Sequence, residues 1–263
     1  MMRIFYDLSE IQGQIEMPAV TVGSFDGVHA GHRAILDRLK ETAAKSGGGS
    51  VVVTFDPHPR QVLQPAGGSP RLLNSLEEKI HLLEQAGIDH LFVIRFTPEF
   101  SRLTSETFAR RYLLEGIGAK TIVMGYNHLF GHARSGNRDY LETLRNHFDF
   151  EVCQLPRLNV EERKVSSTVL RALIATGEMQ AAAELLGKPY FFIAREGLGG
   201  RLSYGEPQKL FPPVGVYPAT VDTGESVFDT DLIISPDPES GFGLSLGSPC
   251  LPGQKLIVRF RAE

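Results

Sequence analysis

Gly23-Ser24-Phe25-Asp26-Gly27-Val28-His29-Ala30-Gly31-His32 follows the apolar run Ala19-Val20-Thr21-Val22 and leads into a helical pattern from Arg33 to Ala44. A strand that ends in spaced glycines and turns directly into a helix presents unpaired backbone N–H groups at the positive end of the helix dipole. That arrangement holds phosphate. Glycine at 23, 27 and 31 lets an anion approach the backbone without meeting a Cβ. His29 and His32, three residues apart, sit on one side of the first helical turn and point toward whatever those N–H groups bind. The stretch is expected to hold an anion.

Outward from it, short β-branched runs alternate with amphipathic helical segments from residue 19 to about 155, the pattern of an α/β doubly wound parallel sheet with helices on both faces. The strands fall at Val20 to Ser24, Ser50 to Phe55, Leu91 to Phe96, Thr121 to Met124 and Phe150 to Leu155. Ser75-Leu76-Glu77-Glu78 forms a capping box for a helix to Gln85 that stops at Gly87. Ser105 to Glu115, Asn137 to His147, Thr168 to Thr176 and Met179 to Leu186 read as further helices, and Ser46-Gly47-Gly48-Gly49-Ser50 as a flexible loop, able to move as a lid. In such sheets the ligand lies beyond the carboxyl ends of the strands, where Gly23 to His32, Asp56 to Arg60 and Gly125 to Gly131 all fall. Three loops are expected to converge on one crevice.

Each loop carries candidate ligands. In Thr54-Phe55-Asp56-Pro57-His58-Pro59-Arg60, two prolines stiffen the backbone and fix the direction of Asp56 and His58. Asn127, in Gly125-Tyr126-Asn127-His128-Leu129-Phe130-Gly131, offers donor and acceptor without charge to a ribose, a phosphate or a metal-bound water, and Phe130 suits a flat ring. In Lys164-Val165-Ser166-Ser167-Thr168-Val169-Leu170-Arg171, hydroxyls cap a helix start and an arginine stands one turn inside it. N–H groups, hydroxyls and a bidentate guanidinium together match pyrophosphate. Alone, each stretch reads equally as a turn or an ordinary helix cap.

Composition narrows the partners. The chain has 263 residues, 42% of them hydrophobic, enough for a sizeable core and two domains. A net charge of -4 leaves no basic surplus to neutralise a polynucleotide, so the expected ligand is a small molecule and not a nucleic acid. The two cysteines, Cys153 and Cys250, form no Cys-x-x-Cys pair, so neither a zinc site nor a disulfide framework is expected. No run approaches the ~20 apolar residues that span a bilayer. A cytoplasmic protein with no membrane partner is expected. All eight histidines precede residue 148, whereas the last ~75 residues are rich in Gly, Pro and short β runs. This break places a boundary near residue 187, with an α/β domain over 1–187 and a small all-β, barrel-like domain over 188–263.

His29-Ala30-Gly31-His32 resembles the His-x-Gly-His signature of the nucleotidylyltransferase superfamily, and the preceding Phe25-Asp26-Gly27-Val28 resembles the bacterial FAD synthetase family. Phe55-Asp56-Pro57-His58-Pro59 is similar to the family loop that borders the nucleotide. Ser166-Ser167-Thr168 with Arg171 is similar to its second phosphate-binding motif. The likeness covers about residues 18 to 191, and His128 departs from it by replacing the usual aromatic.

The resemblance implies that the phosphate of FMN attacks the α-phosphorus of ATP, giving FAD and pyrophosphate. His29 and His32 then act as transition-state donors to the α/β-phosphates, and Arg171 with Ser166, Ser167 and Thr168 takes the departing pyrophosphate. Gly23, Phe25, Asp26, Gly31 and Lys164 belong to the ATP and phosphate contacts, with Asp26 and His58 ordering their loops. Asn127, Phe130, Asp56, His58 and Arg134 lie near the flavin or the metal, and Asn127 is the one protein candidate beside Mg2+ that arrives with ATP. Imidazoles at one helix tip and a guanidinium near another are expected to face a triphosphate-sized cleft.

Family members usually carry a C-terminal riboflavin kinase barrel with a Gly-Phe/Tyr-Pro-Thr-Ala-Asn motif whose threonine and asparagine hold magnesium and ATP. Gly199-Gly200-Arg201 and Pro212 to Tyr217 resemble its framework, but Gly205-Glu206-Pro207-Gln208-Lys209-Leu210 lacks both ligands. The sequence ends at Glu263, soon after Lys255 to Phe260, without the family's terminal helices. FMN adenylylation with the kinase lost is therefore expected. The competing readings are a bifunctional enzyme, a nucleotidylyltransferase for another phosphorylated metabolite, and a flavin- or nucleotide-binding module without turnover.

Overall fold

The apolar runs of the first half pair into a six-stranded, wholly parallel sheet in the order β1-β4-β3-β2-β5-β6. Its strands are β1 (Arg3–Phe5), β2 (Ala19–Val22), β3 (Ser50–Asp56), β4 (His90–Arg95), β5 (Thr121–Met124) and β6 (Glu151–Gln154). The structure is a computed structural model that describes residues 1–64, 71–126, 128–156, 166–197, 201–237, 241–248 and 253–261. Lys164, Asn127, Gly199, Gly200 and Cys250 lie outside the described residues. Val51, Val52 and Val53 of β3 are all fully buried, as a central parallel strand covered on both faces requires.

The connections are helical: α1 (Leu8–Ile11), α2 (Ala30–Ser46), α3 (Pro59–Leu63), α4 (Leu76–Gln85), α5 (Ser105–Phe108) and α6 (Arg138–Leu144). Helix α2 turns Leu36, Leu39 and Ala43 inward at helical spacing. The capping box of α4 forms as expected, Ser75 Oγ accepting from Glu78 N at 3.2 Å while Ser75 N donates to Glu78 Oε2 at 3.0 Å. The helix expected over Ser105 to Glu115 is α-helical only to Phe108. It continues as a π-helix over Ala109–Ile117 and closes on Gly118 in the left-handed conformation. The loop at 46–50, expected to be flexible and lid-like, is instead pinned. Gly48 N donates to Ala43 O at 2.9 Å, Gly49 N to Glu16 O at 3.3 Å, and Gly49 O accepts from Ala19 N at 3.0 Å.

The second half closes into a barrel of six antiparallel strands: β7 (Phe191–Glu196), β8 (Arg201–Ser203), β9 (Gly215–Asp222), β10 (Val227–Asp237), β11 (Gly241–Leu246) and β12 (Lys255–Phe260). They run around the ring as β10-β11-β8-β7-β12-β9. Phe192, Ala219, Val221, Leu232, Leu256 and Val258 fill it. Two helices, α7 (Ser167–Thr176) and α8 (Met179–Leu186), bury Leu170, Ile174, Met179, Ala182 and Leu186 in that same core.

The chain divides into two compact units that do not follow sequence order. One comprises Met1–Phe25, Gly31–Pro70 and Ile80–Glu162, and the other Asp26–Ala30, Arg71–Lys79 and Arg163–Glu263. Composition marks where helices give way to strands, near residue 187. Packing groups residues by the core they share, so α7 and α8 count with the barrel and Leu73 joins them.

Candidate active site

The sheet order reverses between β2 and β5, because β3 and β4 extend to one side of β2 and β5 and β6 to the other. A crevice opens at the carboxyl ends of strands where the winding reverses. Here the first unit holds a cavity of about 900 Å³, within the usual range for small-molecule sites. Gly23, Ser24 and Phe25 line it from the end of β2, and Gly125 from the end of β5.

Phe25, Phe55, Phe96, Phe100, Phe108 and Phe130 form its apolar walls. They pack edge-on and tilted, with Phe55 5.5 Å from Phe96 and Phe108 5.9 Å from Phe130 between ring centroids. His32, His58, Arg60, His128 and His132 add polar groups. His32 leans on Phe25, the ring centroids 5.1 Å apart. His58 is buried and caps α3, its Nδ1 accepting from Arg60 N at 3.1 Å. The Asp56–Pro57 peptide before it is cis. Desolvation lowers the pKa of His128 to about 4, so the residue that replaces the usual aromatic stands neutral in the wall.

The remaining candidates of the first unit lie as follows. Asp56 ends β3, where its carbonyl accepts from Phe96 N, and it is not among the cavity's lining residues. Phe130 is buried and pairs through its backbone with Gly136, so the segment between them folds back beside the cavity. Arg134 closes the short 3-10 turn His132–Arg134. Gly31 lies in the first turn of α2.

The second unit carries the rest of the glycine-spaced stretch. Phe25 and Val28 have positive φ, +47° and +40°, a costly conformation for an aromatic and a β-branched residue that persists only where the surroundings enforce it. Buried Asp26 supplies the enforcement. Its carboxylate accepts from Leu73 N and Asn74 N, both at 3.0 Å, and pairs with the Arg171 guanidinium. Gly27 N donates to Asn74 Oδ1 at 2.9 Å. At φ +89° a Cβ on Gly27 would stand 2.8 Å from the Leu73 side chain. Ser167 Oγ donates to Asp26 O at 3.0 Å, and Arg171 Nε to Arg71 O at 2.8 Å. Ser166 caps α7 by accepting from Val169 N, and Thr168 is exposed on its first turn. Burial lowers the pKa of His29 to about 4 against the pull of Asp26, so the imidazole is neutral near pH 7.

Asp26, His29, Ser166, Ser167, Thr168 and Arg171 therefore belong to one unit, and Gly23, Phe25, His32, His58 and Phe130 to the cavity of the other. Sequence reasoning missed Asn74, which reads as a residue preceding a helix cap, and the Phe96, Phe100 and Phe108 walls. No spacing signalled the latter, since Phe96 follows β4, Phe100 opens a 3-10 turn and Phe108 ends α5. Among the described residues no group of three His, Cys, Asp or Glu side chains is arranged to hold a metal ion. Both Asp26 oxygens are already engaged, by Leu73 and Asn74 on one and by Arg171 on the other. Among the described residues, Asp26 therefore offers no open oxygen to a magnesium ion.

Comparison with known proteins agrees on the region. A family model described as FAD synthetase matches residues 12–169. Similar proteins are named bifunctional riboflavin kinase/FMN adenylyltransferase. The one from Listeria monocytogenes is 35% identical over 173 residues, which cover 65% of this chain and 54% of that protein. The one from Escherichia coli is 28% identical over 234 residues, covering 89% and 70%. The chain thus spans little more than half the length of the Listeria relative. A crystal structure titled macrolide-efflux protein, from Streptococcus pneumoniae, superposes over 99% of this chain and 89% of its own with a TM-score of 0.81. At 24% identity it speaks for the fold.

Proposed function

The chain belongs to the FAD synthetase family, and from that premise we propose that it transfers AMP from ATP to the phosphate of FMN, forming FAD and pyrophosphate. The observation that carries this reading is the cavity at the reversal point of the sheet. Its phenylalanine walls suit a flat tricyclic ring, and four of its lining residues, Gly23, Ser24, Phe25 and His32, come from the glycine-spaced stretch that ends in α2.

The reaction joins a phosphate oxygen of FMN to the α-phosphorus of ATP and breaks the bond from that phosphorus to the bridging oxygen of pyrophosphate. Attacking and leaving groups are both phosphates, so no side-chain nucleophile is needed. Catalysis comes from alignment and from donors aimed at the charge on the equatorial oxygens. The first-turn N–H groups of α2 with His29 and His32 are the donors to the α/β-phosphates. The neutral His29 imidazole donates one N–H, and an arriving triphosphate raises its pKa toward the doubly donating form. Arg171, held in orientation by Asp26 and the Arg71 carbonyl, takes the departing pyrophosphate with Ser166, Ser167 and Thr168. Gly31 and Lys164 complete the phosphate contacts. Phe130, His58, Arg134 and Asn127 attend the flavin side. Magnesium would arrive with ATP and supply charge neutralisation at its phosphates, with Asn127 the protein residue that would stand beside it.

Riboflavin kinase activity is absent in this reading. The Gly205–Leu210 segment puts Gln208 where the barrel's motif requires a hydroxyl and Leu210 where it requires an amide, and a leucine side chain offers no oxygen to a hard cation. The enzyme works on small molecules in the cytoplasm. Among the described residues no helix is long and apolar enough to cross a membrane. Incubation with ATP, Mg2+ and either FMN or riboflavin, followed by chromatographic separation of flavins, tests both parts. FAD and pyrophosphate are expected from FMN, and no phosphorylated product from riboflavin. Absence of FAD overturns the transfer, and FMN from riboflavin overturns the loss of the kinase.

A further inference from the structure

The Gly205–Leu210 segment does not lie idle. Lys209 is fully buried, and its ammonium reaches into the interior of the second unit. Nζ donates to Leu73 O at 2.8 Å and to Glu78 Oε2 at 2.7 Å, and lies 3.2 Å from the Tyr190 hydroxyl. The backbone repeats the link on both sides of the lysine, Leu72 N donating to Gln208 O and Leu210 N to Leu72 O, each at 2.8 Å. A buried cation is tolerated only when paired and hydrogen-bonded, and this one has every donor directed at an acceptor.

Glu78, equally buried, gathers the other half of the network. Its Oε2 also accepts from Ser75 N at 3.0 Å and from Asn74 Nδ2 at 3.4 Å, and its Oε1 accepts from Ile193 N at 3.0 Å. Leu73 and Asn74 are thus held on one side by Lys209 and Glu78. On their other side they present the two N–H groups that fix the Asp26 carboxylate, and the Asn74 amide oxygen that fixes Gly27. Asp26 in turn holds Arg171. A continuous chain of hydrogen bonds runs from the barrel segment to the strained turn and the guanidinium.

We propose that Lys209, with Glu78 as its counter-charge, is a positioning residue for adenylyl transfer: it tensions the Leu72–Asn74 strap that sets the Asp26–His29 turn and Arg171. The segment that departs from the kinase motif has become an internal brace for the other reaction. This inference rests on the proposed FMN adenylylation. It adds that catalysis depends on a side chain that touches neither substrate. Burial and the Glu78 charge also push the Tyr190 hydroxyl far above its ordinary pKa, keeping it a neutral donor to Leu73 O and Leu210 O.

The test compares wild type, Lys209→Met and the double variant Lys209→Met/Glu78→Gln in FAD formation from ATP and FMN, with melting temperature measured in parallel. Lys209→Met leaves Glu78 buried without its partner and is expected to melt early. The double variant removes both charges and recovers most of the melting temperature. It does not restore the ammonium donor to Leu73 O, which is left to the Tyr190 hydroxyl alone, so kcat is expected to stay depressed by about ten- to a hundredfold, the scale of a small misplacement of catalytic groups. The KM for FMN is expected to stay within twofold of wild type. A double variant that regains wild-type kcat along with its stability overturns the brace, as does a loss confined to KM for FMN. A wild-type protein that makes no FAD overturns the underlying reading instead.

Discussion

Replacing Gly131 by alanine isolates what the cavity wall contributes. Gly131 has φ +74° and ψ 177°, a region that only glycine occupies without strain, and a Cβ there would stand 2.6 Å from Ser105 Cα and 2.8 Å from Ser105 N. The backbone conformation alone costs about 1–3 kcal/mol. Ser105 opens α5 and is buried, so relief must come from the loop, which withdraws by several tenths of an ångström. Its neighbours Phe130 and His132 line the cavity, and His132 N is tied to Leu103 O at 2.9 Å, so the wall moves with the loop. At about 2–4 °C per kcal/mol for a unit of this size, melting should fall by about 2–12 °C. Flavin affinity, followed by quenching of FMN fluorescence, should weaken by about tenfold, equivalent to about 1.4 kcal/mol. Gly118→Ala is the control. Its φ of +76° is also left-handed, but a Cβ there meets nothing within 4 Å, so it should lower stability by about 1–2 kcal/mol and leave FMN binding unchanged. A Gly131→Ala protein that matches this control in both measurements refutes the steric reasoning.

Three other outcomes follow from the same geometry. His32→Ala should lower the turnover of FAD formation by about 10²–10³-fold, the scale of losing one preorganised donor. Steady-state rates at saturating ATP and FMN measure it, and unchanged turnover would remove His32 from the transition state. Asp26→Asn weakens the pairing with Arg171 and should cost about 3–5 kcal/mol, visible as a lower urea midpoint at unchanged slope. His29 and His128 both have pKa values lowered to about 4. Their unfolded counterparts bind protons below about pH 6.5, so the unfolded state holds more protons and stability declines as pH falls from 6.5 toward 4. The decline is at most about 3 kcal/mol for each group and absent above pH 7. Melting temperatures across that range, in wild type and His128→Gln, should show the variant with the shallower slope.

The sheet was readable because its signal is local. Valines in succession at 51–53 and the glycines closing each helix mark β3, α4 and α7 without reference to anything distant. The glycine-spaced stretch was readable as a strand, turn and helix for the same reason, since these follow one another without a break from Ala19 to Ser46. What escaped depends on partners far along the chain. β1 is three residues long and gains its place only by lying parallel to β4 at the sheet edge, too short to show a period of its own. Lys209, in a stretch with glycine and prolines close by, reads as a surface residue until Glu78, 131 positions earlier, draws it inside. Asp26 could be placed in an ordering role, but not its donors at Leu73 and Asn74, because nothing in the spacing of Arg71 to Ser75 announces that they belong to the turn.

The interleaving of segments constrains how the molecule can be cut. Leu73 and Leu170 belong to the core that the barrel shares with α7 and α8, and Asp26–Ala30 and Arg71–Lys79 count with that unit although these two segments precede its first strand by more than a hundred residues. Scissors placed after residue 187 would release a fragment lacking part of its own filling and leave the other piece with apolar side chains turned to water. Exchanging the barrel for a relative's would likewise require transplanting two short upstream passages, so this half of the molecule is a patchwork and not a cassette.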